Sequence, residues 1–160
     1  GSSTYVSVHR DDVVATIGEV VEAIRSEGGL PGIHCCGNTE WTIPIDAGVD
    51  IINFDAYEYG ETIPLYGDRM KTFLEEGGIL AWGIVPTSEK IDDETTESLM
   101  AKFDSLVDAL AAKNIHRDLI LQNALITASC GTGSVPVERA EKIAEETKHV
   151  SDRLKEKYRG

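Results

Sequence analysis

Four short apolar runs alternate with segments of helical period, and this alternation limits what the chain can fold into more than any other feature. The runs cover residues 30–36, 49–54, 79–85 and 124–128. Ahead of the first, Val13, Val14, Ile17, Val20, Val21 and Ile24 recur at i, i+3, i+4 spacing, with Asp11 and Asp12 as caps and Gly28-Gly29 as the stop. Met70, Phe73 and Leu74 predict a helix ended by Gly77-Gly78, and Leu99, Met100, Phe103, Leu106, Val107 and Leu110 predict a longer one over 95–112. A short helix fits 118–122. The last helix is expected over 137–158, with Ala140, Ile143, Ala144, Val150 and Leu154 facing inward. Strands that are apolar throughout, separated by helices, make a parallel sheet covered by helices. The chain therefore reads as an α/β protein, a helix followed by four parallel βα units. Periodicity leaves two architectures open: an open doubly wound sheet, or half of an eight-stranded βα barrel, which when closed takes about 250 residues.

The 160 residues suit one domain over 1–160. A chain of this length can bury roughly 70% of its unfolded surface, so a core forms without disulfides. With 41% hydrophobic and 27% charged residues, neither collagen nor wholesale disorder fits. No apolar run is long enough to span a bilayer, and no secretory signal pattern opens the chain, so no membrane association is expected. Acids outnumber bases 28 to 15, for a net charge of −13, which repels phosphate backbones and argues against nucleic acid as a partner. Three cysteines are an odd number and a poor disulfide framework, which favours a cytoplasmic location.

The reactive side chains fall at strand ends. His34 and Cys36 are two residues apart at the end of the first run, so they share one face while Cys35 takes the other. Asp55 follows the second run, and Cys130 follows the fourth, ahead of Gly131-Thr132-Gly133. In a parallel sheet the carboxyl ends of all strands share one rim, where ligands bind. An imidazole, two thiols and a carboxylate thus converge, and these are the donors Zn²⁺ takes; three protein ligands with one open position is its catalytic arrangement. The competing reading is packing: a buried cysteine behaves as a small hydrophobe, and an aspartate after a strand caps the next helix. Gly131-Thr132-Gly133-Ser134 precedes a helix but lacks a Walker lysine, and reads as a turn.

His34-Cys35-Cys36-Gly37-Asn38-Thr39 followed by Gly48-Val49-Asp50-Ile51-Ile52-Asn53-Phe54-Asp55 resembles the superfamily of uroporphyrinogen decarboxylase and cobalamin-independent methionine synthase. Ala81-Trp82-Gly83-Ile84-Val85-Pro86-Thr87 and Ser129-Cys130-Gly131-Thr132-Gly133 extend the likeness over almost the whole chain. Within the superfamily the chain is most similar to the zinc-dependent methyltransferase branch, which includes corrinoid-type enzymes. The resemblance implies a (βα)8 TIM barrel of which this chain is the C-terminal half. It also implies that His34, Cys36 and Cys130 are zinc ligands, with Asp55 as the acidic catalytic ligand; an ungapped count would favour Glu58 instead. Methionine synthases carry Glu where this chain has Asp.

The activity so implied is methyl transfer to a small-molecule thiol, held as thiolate by zinc and attacking a methyl group. The methyl donor would be a corrinoid or a corrinoid protein. A free thiol has a pKa of about 8.5, which is why the metal matters. Asn38 and Asn53 are candidates for orienting a ligand, and Tyr57, Tyr59 and Trp82, near strand exits, for lining a substrate pocket. Half a barrel exposes two sheet edges and part of its interior, which predicts pairing with a second copy or with an N-terminal half. The alternatives are a non-catalytic metal- or partner-binding domain and a metal-free, decarboxylase-like domain.

Overall fold

The computed structural model describes residues 9–159. Helix α1, Arg10–Ser26, leads into strand β1, Gly32–Cys35, and the short helix α2, Thr42–Asp46. Strand β2, Ile51–Phe54, is followed by α3, Ala56–Tyr59, a 3₁₀ turn over Gly60–Tyr66, and α4, Gly67–Glu75. Strand β3, Ile79–Val85, is followed by a second 3₁₀ turn, Glu89–Asp92, then α5, Thr96–Ala111, and α6, Arg117–Gln122. Strand β4, Ala124–Ala128, and the long helix α7, Val137–Arg159, complete the chain.

All strand pairs are parallel and the order is β1-β2-β3-β4. A doubly wound sheet needs a reversal of strand order, because crossovers are right-handed and only a reversal moves helices to the second face. No reversal occurs among these four strands, so their connections wind in one direction, as half a barrel would. Burial follows the same division. Cys35, Phe54, Trp82 and Ile126 lie in register across the sheet, and Phe54 and Trp82 are fully buried beneath the helices. His34, Asn53, Ala81 and Leu125 form the neighbouring row on the other face, where Leu125 is 47% exposed.

An edge-on aromatic series runs through the core. Trp41 meets Phe54 at 6.0 Å between centroids, Phe54 meets Trp82 at 5.2 Å, and Trp82 meets Phe103 at 5.4 Å. Trp82 is thus enclosed between β2 and α5. It does not line the rim as a substrate-binding residue, because its place in β3 turns it toward the helices. Its indole Nε1 is buried and has no hydrogen-bond partner among the described residues.

Elements with strong periodicity lie where expected, and ends shift by one to three residues. α1 begins at Arg10 behind His9, so Asp11 and Asp12 sit in its first turn and complement the helix dipole rather than cap it. Its apolar stripe is only half covered: Val21 is buried, but Val20 and Ile24 are 57% and 38% exposed. In α7, Ile143, Val150 and Leu154 face the core, whereas Ala144 is exposed. Thr147, whose hydroxyl donates to Ile143 O at 2.7 Å, takes the inward step instead. α2 had no sequence counterpart; Trp41 at its start and Pro44 within it are buried.

Candidate metal centre

His34 projects from β1 on the face away from the helices, and Cys36 follows one residue beyond the strand on the same side. Cys130 lies two residues past β4. β1 and β4 are the two edges of the sheet, and three strand spacings across a flat sheet are about 14 Å. Yet one donor atom from each of His34, Cys36 and Cys130 lies within 4.8 Å of the others. The two edges converge at this rim.

Two features of β3 bring them together. Ala81 and Gly83 are the small residues it presents on the site face, and they leave room above the strand. Asn53 on β2 reaches over them to Thr127 on β4, with Nδ2 donating to Thr127 Oγ1 and to Ala81 O, both at 2.9 Å. Gly83 also marks the register shift between β3 and β4. A Cβ there would sit 2.5 Å from Phe54 O and 2.8 Å from Ser129 Cα. Only glycine admits this approach of three backbones. Beyond it, Ser129 N donates to Val85 O at 2.8 Å, and Ser129 Oγ accepts from Thr87 N at 3.2 Å. The residue before Cys130 is thereby fixed to the end of β3.

The donor set suits zinc in chemistry and in spacing. Tetrahedral Zn–S and Zn–N bonds of about 2.3 and 2.0 Å place donor atoms about 3.5–3.8 Å apart, a small contraction of the observed cluster. Two thiols and an imidazole are the borderline-soft donors that select zinc over magnesium or calcium. The Cys36 thiol is pushed above its ordinary value, first by a hydrogen bond with Cys130 that favours its protonated form, then by the repulsion of a second thiolate. Cys36 and Cys130 are exposed residues, so the cluster is open to an incoming molecule. Cys35 points the other way, its Sγ 3.5 Å from Gly37 O, and packs against the core.

The remaining predicted residues have other partners. Asp55 lies outside the three-donor group; it is buried, and its Oδ1 accepts from Glu58 N at 2.9 Å as the N-cap of α3. Burial raises its carboxyl, partly opposed by that backbone hydrogen bond and by the nearby His34. Glu58 pairs with Lys90 at 2.6 Å. Tyr57 donates to Glu94 at 2.6 Å and carries Lys102 4.3 Å above its ring; burial and Glu94 push its hydroxyl up to about 12. Asn38 is exposed in the loop after β1, and Tyr59 is exposed at the end of α3. Asn53 accepts or donates at both ends of its amide, with His34 Nδ1 2.6 Å from its Oδ1. It therefore has no free amide proton for a substrate.

Sequence reasoning missed Thr127, Ser129 and Gly83. The available signal was a polar residue, Asn53, inside an otherwise apolar strand, opposite small residues in the next one. No helix of the described residues is long and apolar enough to cross a membrane. No family model, curated protein or solved structure matches this chain.

Proposed function

We propose that this chain is a zinc-dependent methyltransferase, or the C-terminal half of one built as a (βα)8 barrel, that presents a substrate thiol for attack on a methyl group. The observation that carries the reading is the meeting of His34, Cys36 and Cys130 at one rim, from opposite edges of the sheet. The sequential strand order supports the barrel. Zinc bound there would use three protein ligands, keep one position open, and stabilise a substrate sulfur as thiolate. Cys36 and Cys130 would hold the metal as thiolates, and their two negative charges would keep the centre electron-rich. Their exposure leaves the open side accessible to a small thiol. The buried carboxyl of Asp55 adds an acidic group beside His34. A corrinoid methyl donor approaching from the uncovered sheet face is part of the same proposal.

The test is metal analysis of protein purified in reducing buffer without chelator, followed by a panel of thiol acceptors with methylcobalamin. About one zinc per chain is expected, lost in His34→Ala, Cys36→Ala and Cys130→Ala and retained in Cys35→Ser. Equal loss in Cys35→Ser and Cys36→Ser would refute the assignment of faces. Zinc without methyl transfer in any combination would remove the reading that this chain is a methyltransferase by itself, leaving a metal-binding domain or half of an enzyme.

A further inference from the structure

Among the described residues, Asn53 touches a donor of the cluster and is itself held at every polar atom. Resting on the metal site proposed above, we infer that Asn53 is a positioning residue that fixes the His34 imidazole in its Nδ1–H tautomer, so that Nε2 is the nitrogen offered to the metal.

The chain of constraints starts at a backbone carbonyl. Ala81 O can only accept, so the Asn53 atom 2.9 Å from it is the amide nitrogen. The second proton of that nitrogen goes to Thr127 Oγ1 at 2.9 Å. The amide orientation is therefore set by β3 and β4, and Oδ1 is the atom left facing His34 Nδ1 at 2.6 Å. Oδ1 can only accept, so a neutral imidazole must carry its proton on Nδ1. Its lone pair is then on Nε2. Imidazole ligands generally have their other nitrogen held this way, and the holding group sets both the tautomer and the ring plane.

The arrangement also explains the composition of β3. Any side chain at 83 would part the strands beneath the span from Asn53 to Thr127. The same amide joins β1, β2, β3 and β4 across the site face, so it sets the position of His34 relative to the strand that carries Cys130.

The test uses ¹⁵N-histidine-labelled protein, metal-free and reduced, at a pH where the ring is neutral. Long-range ¹H–¹⁵N correlation reads which nitrogen of His34 is protonated, with no reference to activity. The wild-type protein should show Nδ1–H, and Asn53→Ala a mixture or the opposite tautomer. Zinc affinity, by competition with a chromophoric chelator, should fall roughly 10–100-fold in Asn53→Ala. Cobalt substituted for zinc should give an altered visible spectrum in that variant. Thr127→Val removes one support of the amide while keeping its shape and the His34 contact; a smaller loss in affinity is expected, and it serves if Asn53→Ala does not fold. Wild-type His34 protonated on Nε2, or unchanged zinc affinity in a folded Asn53→Ala, overturns the inference. Absence of zinc binding in the wild-type protein would instead remove the metal site, while the tautomer measurement would still decide how Asn53 holds the ring.

Discussion

A methyl group at position 83 would meet a carbonyl of β2 and the backbone of Ser129 at once, and neither can turn aside as a side chain could. Gly83→Ala should therefore destabilise the fold by about 1–3 kcal/mol, the usual range for overpacking, and weaken zinc binding because Cys130 adjoins Ser129. Urea unfolding and a metal titration of one preparation measure both. Asp55 can be separated into its two possible contributions at this scale. Asp55→Asn keeps an oxygen for the Glu58 N–H and should retain stability, while reducing zinc affinity less than Cys36→Ala does. Asp55→Ala loses the cap and should cost about 1 kcal/mol. Tyr57 gives a pH signature. Its folded value is raised to about 12 from an ordinary 10, so its contribution is complete below pH 10 and lost as pH rises toward 12. Chemical denaturation across that range should show a fall in stability that Tyr57→Phe removes.

Among elements, α5, α6 and α7 are joined through one carboxylate. Asp104 on α5 accepts from Lys157 at 2.6 Å, from the Tyr158 hydroxyl, and from Arg117 on α6 at 3.3 Å. Arg117 in turn reaches Asp108 at 2.8 Å and the Tyr158 hydroxyl at 3.0 Å. The Asp104 side chain is only 20% exposed, so its removal leaves cations and a hydroxyl short of an acceptor. Asp104→Ala should destabilise by about 1–3 kcal/mol, visible as a lower thermal midpoint, with no effect on zinc affinity because the network lies away from the rim. Elements of this kind were the most legible. The i, i+3, i+4 pattern over 95–112 gave α5 because the burial of one helical face writes itself into sequence, and Thr95 with Ser98 forms the capping box that starts it. α2 left no trace, because five residues are too few to show a period.

For the whole molecule, the metal would connect the two edge strands. Zinc should therefore raise the thermal midpoint of the reduced protein, by an amount that grows with free metal and disappears in Cys130→Ala. Val20 on α1, Leu30 just ahead of β1 and Leu125 on β4 are apolar residues left exposed.

The alternation of apolar runs and helical periods was enough to specify parallel βα units, because each run must be buried and each helix must cover it. The two-residue spacing of His34 and Cys36 was enough to put them on one face, since side chains alternate along a strand. Strand order could not be read, because local periods carry no record of which strand pairs with which; β1-β2-β3-β4 came from the folded backbone. Nor could the reach of Asn53 to Thr127. The convergence of His34, Cys36 and Cys130 on one rim was expected from their places at strand ends, but how near they come depends on strands closing over the small residues of β3, a packing relation among segments far apart in the chain.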